Sequence, residues 1–221
     1  MYQWAFEGRE KELGPDHKST LHTLGCLGGL YMEQGRLCDA EVMLARTLEG
    51  FEEALGSDYT STVKRLAIVY ADQDRPEDAE ALYERALETM EKALGPDDNG
   101  TLLVVSNLGQ FYRDQGRLQE AEAMLTRALE GFKEALGSDY TSTVERLAIV
   151  YADQDRPEDA EALYERALET MEKALGPDDN GTLLVVSNLG QFYRDQGRLQ
   201  EAELAISVTF VGPKTTYWVL R

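Results

Sequence analysis

Along most of the chain, apolar and small residues recur at spacings of three and four, in short runs separated by breaks that contain glycine or aspartate. One stretch shows the pattern in full. Leu108, Gly109, Phe111 and Tyr112 form one run, Ala121, Leu125 and Ala128 form the next, and Gln115-Gly116-Arg117 stands between them. This period predicts a helix, a tight turn and a second helix. Gly116 suits the left-handed conformation that closes the first helix, and Gly35 and Gly197 occupy the same place. Alternate units carry Asp74 and Asp155 there, followed by Pro76 and Pro157. Aspartate tolerates that backbone region better than most residues, and proline suits the first turn of a helix. At the other connection, Asp97 or Asp98 and Asp58 or Thr60 are the candidate helix caps.

The runs themselves repeat. Residues 55–122 and 136–203, offset by 81, are the same string of 68 residues except that Lys64 becomes Glu145. Inside that period a weaker repeat is marked by Leu-Gly at 13–14, 55–56, 94–95, 136–137 and 175–176, at spacings of 42, 39, 42 and 39. Periods of this size belong to stacked supersecondary units, none of which buries its apolar face alone. The 39-residue units are three residues shorter between Gly56 and Leu66, which predicts a tighter approach to the following helix.

Leu108, Gly109, Tyr112, Ala121, Leu125 and Ala128, with Leu66, Ala67, Tyr70, Ala79, Tyr83 and Ala86 one unit earlier, resemble the signature of the tetratricopeptide repeat. The strings Ala-Leu-Gly-Pro-Asp-Asp and Tyr-Arg-Asp-Gln-Gly-Arg look most like the repeats of kinesin light chains and of the sensor domains of fungal NOD-like receptors. The resemblance covers roughly residues 5–206. It implies an all-α fold, a right-handed superhelical solenoid of antiparallel helix pairs, with about 4.5 pairs over residues 14–206. Small residues at Gly109 and Ala121 fit that expectation, because closely packed helices need short side chains where they cross.

The ends differ from the repeats. Ala5-Phe6-Glu7 aligns with Ala86-Leu87-Glu88 at the 81-residue offset, so residues 1–13 are expected to be part of the second helix of a truncated unit, within a larger parent. Residues 207–221 form a non-repeat tail. The segment Leu204 to Val211 is rich in β-branched residues, and Tyr217, Trp218, Val219 and Leu220 follow. Such a tail either covers the end of the stack or is aggregation-prone surplus.

Composition narrows the function. At 43% hydrophobic and 29% charged the chain can bury a core and stay soluble, and no stretch approaches the roughly 18 apolar residues that a membrane span requires. No basic segment followed by an apolar run opens the sequence, so no secretory signal is visible. Two cysteines, Cys26 and Cys38, suit a reducing compartment and a cytoplasmic location. A net charge of −19 speaks against nucleic acid as a partner and fits either solubility or attraction to a basic partner.

No set of groups converges for catalysis. His17 and His22 are five residues apart, about 140° around a helix. With Cys26 and Cys38 they match no common zinc spacing. No phosphate loop or nucleophile elbow is present, and the two near-identical units contain no histidine to act as a base. Neither an enzyme, a metal site nor a cofactor is expected.

The resemblance further implies that the first helix of each pair lines a concave, ligand-bearing surface. Carried onto this sequence, it assigns ligand contact to Ser106, Asn107, Gln110 and Arg113 with Asp114, and to Ser187, Asn188, Gln191 and Arg194 with Asp195. The shorter units contribute Lys64 and Arg65, with Ile68 and Asp72, and Glu145 and Arg146, with Ile149 and Asp153. The first unit departs from the pattern, with Cys26 where Asn107 stands. The expected function is a protein- or peptide-binding scaffold, the ligand-sensing repeat domain of a larger fungal NOD-like-receptor-type protein. The alternatives are a kinesin-light-chain-like cargo adaptor and a solenoid that assembles end to end. One further pattern has two readings. Where Lys64 becomes Glu145, Glu52 becomes Lys133, and positions 52 and 64 are symmetric about residue 58. They form either a surface ion pair with its signs exchanged or, at position 64, a difference in ligand preference.

Overall fold

The computed structural model describes residues 2–52 and 55–211. Among them are eleven α-helices and no strand: α1 (Tyr2–Leu13), α2 (Lys18–Glu33), α3 (Leu37–Phe51), α4 (Ser57–Asp72), α5 (Pro76–Ala93), α6 (Asn99–Asp114), α7 (Leu118–Phe132), α8 (Ser138–Asp153), α9 (Pro157–Leu175), α10 (Asn180–Asp195) and α11 (Leu199–Val211). The all-α architecture is the one expected. The chain divides into two compact units after Leu108, inside α6. In the first, α2 packs on α3 and α4 on α5, with α1 against α2. In the second, α8 packs on α9 and α10 on α11. Neighbouring pairs join where α3 meets α4, α7 meets α8 and α9 meets α10.

The turn inside each pair follows the sequence closely. Gly35, Gly116 and Gly197 have φ of 69°, 73° and 72°, and Asp74 and Asp155 take the same left-handed conformation at 61° and 60°. Pro76 and Pro157 open their helices, where a missing N–H costs nothing. Where the two helices of a pair cross, the backbone leaves no room for a side chain. A Cβ on Gly28 would lie 2.8 Å from Leu44 Cγ, and one on Gly109 would lie 2.8 Å from Leu125 Cγ. Leu44 and Leu125 are themselves fully buried, as are Ala40, Ala79, Ala121 and Ala160 near the start of the second helices.

The connections between pairs are of two kinds. In the longer one, Gly95 takes φ of 100° and the helix begins at Asn99, with Asp98 as its cap: Oδ1 accepts from Gly100 N at 2.8 Å and from Thr101 N at 3.4 Å. Asp179 does the same for Gly181, and His17 Nδ1 accepts from Ser19 N at 3.2 Å ahead of α2. In the shorter connection the next helix begins immediately after Gly56, at Ser57, and after Gly137, at Ser138. This is the tighter approach expected, but Asp58 and Thr60 do not cap it. Both lie within the helix, and Thr60 instead donates from its hydroxyl to Ser57 O. Three fewer residues leave no room for a capping side chain. The chain reverses through Leu55 and Leu136, at φ of 42° and 43°, a region that a γ-branched side chain occupies only under steric cost.

At the C-terminal end, α11 runs through Val211, so the β-branched residues up to that point are helical. Residues 212–221, and with them the covering or surplus role considered for the tail, lie outside the described residues.

Two substitutions test this account. Gly109→Val forces a branched side chain onto Leu125 and is expected to lower stability by about 1–3 kcal/mol in urea unfolding. Asp74→Gly with Asp155→Gly, at exposed positions where the sister turns already use glycine, is expected to raise it by about 0.5 kcal/mol. A fall with the glycine pair would show that the aspartate side chains contribute more than their backbone conformation costs.

Candidate protein-binding face

Second helices bury most of the apolar surface, which leaves the first helices to present polar residues. In the first unit α2 and α4 touch directly. Arg65 Nη1 reaches the carbonyl of Gly25 at 3.4 Å, and Asp58 stands 3.8 Å from Lys18 Nζ and 3.5 Å from His22 Nδ1. Lys64, Arg65, Ile68 and Asp72 are exposed along α4. In the second unit Arg113 Nε donates to Asp153 Oδ2 at 2.6 Å, which ties the end of α6 to α8. Glu145 and Asp153 are exposed on α8, with Arg146 and Ile149 half-buried. Directly beside them α10 exposes Ser187, Gln191, Arg194 and Asp195, with Asn188 half-buried. Gln110 donates to Asp114 at 2.7 Å and Gln191 to Asp195 at 2.7 Å, the four-residue spacing that puts side chains on one helix face.

Identical sequence does not give identical surroundings. Ser187 is exposed and Asn188 half-buried, whereas Ser106 and Asn107 are only 1% and 7% exposed and each already has an interaction of its own. The expected ligand contact at Ser106 and Asn107 therefore has no open surface behind it. The expected ion pair also fails in the second copy: Lys133 and Glu145 make none with each other among the described residues. Residue 139, the centre of that symmetry, lies inside α8 rather than in the turn, and Glu145 stands seven residues beyond the start of α8, roughly 10 Å along its axis. Lys133 caps the end of α7 and is not level with it.

One recurrent group escaped the reading of the sequence. The arginine that ends each turn lies over the tyrosine five residues before it: Arg36 over Tyr31 at 4.0 Å, Arg75 over Tyr70 at 4.5 Å, Arg117 over Tyr112 at 4.2 Å, Arg156 over Tyr151 at 4.6 Å and Arg198 over Tyr193 at 4.4 Å. Three of these arginines also reach back to the second helix of the preceding pair. Arg75 Nη1 pairs with Glu41 at 3.1 Å, Arg156 Nη1 with Glu122 at 2.9 Å and Arg198 Nη1 with Glu161 at 2.7 Å. Each then closes on a carboxylate three residues ahead, namely Asp78, Asp159 and Glu201. The signal was present, in Tyr-Arg-Asp-Gln-Gly-Arg and in the glutamate that follows Ala40, Ala121 and Ala160. What it lacked was the pairing across roughly one repeat.

Charge and burial tune this joint. The Arg198 hydrogen bond holds the Glu161 carboxyl below the usual range, against the opposing effect of burial, and Tyr193 adds a second hydrogen bond to it at 2.8 Å. Burial foremost, then that bond to Glu161, raises the Tyr193 hydroxyl well above its ordinary value. Tyr164 is raised as strongly, first by burial and then by the charges of Glu145 and Asp195. Among the described residues no group of three or more histidine, cysteine, aspartate or glutamate side chains is placed to hold a metal ion, and no helix is long and apolar enough to cross a membrane.

Comparison with known proteins agrees with this geometry. Tetratricopeptide repeat profiles match residues 59–134 and 138–205, and a second profile of the same description matches residues 20–58. The chain belongs to the tetratricopeptide repeat family, whose repeat scaffolds generally mediate protein–protein binding. The matches name no catalytic family. Among solved structures, the chain resembles the nearly identical TPR-like repeats of a Podosopora anserina protein assigned as a kinesin light chain, with 20% identity, 88% of this chain and 95% of that one covered, and a TM-score of 0.66. It also resembles BtubC (BKLC) from P. vanneervenii, with 20% identity, 95% and 87% coverage and a TM-score of 0.69. A third, the apo quorum sensor NprR from B. thuringiensis, has 15% identity, 95% and 70% coverage and a TM-score of 0.54. At these identities the likeness is one of fold. No curated protein matches.

The joint makes a pH-dependent prediction. A carboxylate whose acidity is increased by folding stabilises the fold above its ordinary titration range, and that contribution is lost as pH falls through the depressed value. Glu161→Gln is therefore expected to cost about 1 kcal/mol at neutral pH, the scale of a part-exposed ion pair. The deficit should close below a pH of about 4.5, the ordinary carboxylate value. Urea unfolding at several pH values measures both, and a deficit that persists in acid would assign it to packing.

Proposed function

We propose that this chain is a peptide- or protein-binding scaffold whose ligand lies along the exposed faces of the first helices, and that it serves as the ligand-sensing repeat domain of a larger fungal NOD-like-receptor-type protein. One observation carries the binding reading: α8 and α10 lie directly against each other and together expose Glu145, Asp153, Ser187, Gln191 and Arg194, with Arg146 and Asn188 half-buried among them. Asparagine and glutamine each offer a donor and an acceptor, which suits the main chain of an extended ligand. In the first unit Lys64 and Arg65 are the corresponding exposed groups, and Gln110 and Arg113 extend the face of the second. A net charge of −19 sets the protein against nucleic acid and favours a partner with basic groups.

The sensor reading is supported by two copies that differ at one position in 68, since near-identical repeats are the feature shared with the sensor domains this sequence resembles. A kinesin-light-chain-like cargo adaptor is the second reading, favoured by Ala-Leu-Gly-Pro-Asp-Asp and Tyr-Arg-Asp-Gln-Gly-Arg. In both readings the work is done in the cytoplasm and by binding.

The face is tested with a photoreactive side chain at position 191, and a control at exposed Glu169 of α9, in extract of the source organism. Crosslinks to one partner from position 191 alone are expected. For that partner, Asn188→Ala with Gln191→Ala should weaken binding by about 1–3 kcal/mol while leaving the melting temperature nearly unchanged. Equal crosslinking from both positions, or unchanged affinity, would move the ligand off this face. A motor subunit as the captured partner would decide for the adaptor.

A further inference from the structure

The two long copies differ at a single internal position, Glu145 in place of Lys64, and in the second unit that difference falls where α8, α9 and α10 meet. Tyr164 of α9 is only 2% exposed, and its ring lies 5.8 Å from that of Phe192, which fixes it against α10. Among the described residues its hydroxyl has no hydrogen-bond partner, whereas the other tyrosine with a strongly altered acidity, Tyr193, donates to Glu161. Burying a hydroxyl without a partner is costly, so such a group is normally satisfied by something. The two charges that act on Tyr164 are Glu145 of α8 and Asp195 of α10, so all three groups face one place.

The two carboxylates are equally unsatisfied. Asp195 accepts one hydrogen bond, from Gln191 at 2.7 Å, and neither it nor Glu145 has an ion pair among the described residues. The nearby cations are committed elsewhere: Arg113 to Asp153, Arg194 to Gln191 Oε1 at 3.1 Å, and Arg146 to an interaction of its own. Two uncompensated negative charges that share a buried phenol repel each other, and a cation placed between them relieves that repulsion while taking hydrogen bonds to all three oxygens.

We propose that the junction of α8, α9 and α10 is a receptor for a basic side chain, a lysine ammonium or arginine guanidinium of the bound protein, held by Glu145, Asp195 and the Tyr164 hydroxyl. The site rests on the binding face described above and gives it a chemical preference. Lys64 occupies the position of Glu145 one copy earlier and carries the opposite charge. The basic-side-chain preference therefore belongs to the second copy alone, and Glu145→Lys is a substitution that the fold already contains.

The probe is a set of four oriented pools of capped peptides, randomised except for a central arginine, lysine, glutamate or alanine, titrated against the full chain by fluorescence anisotropy. The arginine or lysine pool is expected to bind about tenfold more tightly than the alanine pool, the scale of a charge-assisted hydrogen-bonded pair, and the glutamate pool most weakly. Glu145→Lys should abolish the preference for the basic pools, and Tyr164→Phe should reduce it several-fold without altering the alanine pool. If all four pools bind equally, or if the preference survives Glu145→Lys, the site is overturned while the peptide-binding face stands. If no pool binds, the face itself fails and the site with it.

Discussion

Two antiparallel helices approach only as closely as the residues at their crossing allow, and in this molecule everything else is arranged around that limit. Gly28 lies against Leu44 and Gly109 against Leu125 with no space for a single added carbon. That contact sets the distance between the two helices of a pair and so sets the turn that must join them. The turn is short enough to require a left-handed residue at Gly35, Asp74, Gly116, Asp155 and Gly197. A larger residue at the crossing would widen the pair and displace the turn, and the arginine that follows the turn would lose its position over the tyrosine.

That arginine connects one level of organisation to the next. Each pair on its own is a hairpin with one covered and one open side, and repeat arrays gain their stability from the interfaces between neighbours. Here the interface has a polar component at a fixed place as well as an apolar one. Arg75, Arg156 and Arg198 each hold a tyrosine of their own pair and a glutamate of the pair before it. The sequence separation across this joint is 34 residues for Arg75 and Arg156 and 37 for Arg198, so it absorbs the three-residue difference between the two kinds of connection. The geometry of the joint is the same although the chain that closes it is not.

How much of this could be read in advance depended on how local the cause was. Helix positions, the left-handed turn residues and the small residues at the crossings follow from neighbours three or four positions apart, and the structure has them where the spacing put them. The cap of the shorter connection could not be settled in this way. Asp58 and Thr60 are good capping residues, but with three residues fewer the helix has already begun before either is reached, and Leu55 bends the chain instead. The arginine joint was legible only in part, since its components are separated by almost one repeat. The binding face was least legible. Asn107 and Asn188 have the same neighbours in sequence, yet one is buried and the other partly open, a difference made by surroundings that no local string records.

The short reach of these contacts bears on how such a chain is made. The most distant partners joined by the hydrogen bonds described, Arg65 with Gly25 and Arg113 with Asp153, are 40 residues apart. Nothing near the beginning has to wait for a segment near the end, and chains dominated by such near contacts fold fast. At a synthesis rate of about 5–20 residues per second, a helix pair leaving the ribosome meets its neighbour within seconds, before the next pair has been completed. The array is therefore assembled in the order in which it is translated, and each finished pair serves as the surface on which its successor folds.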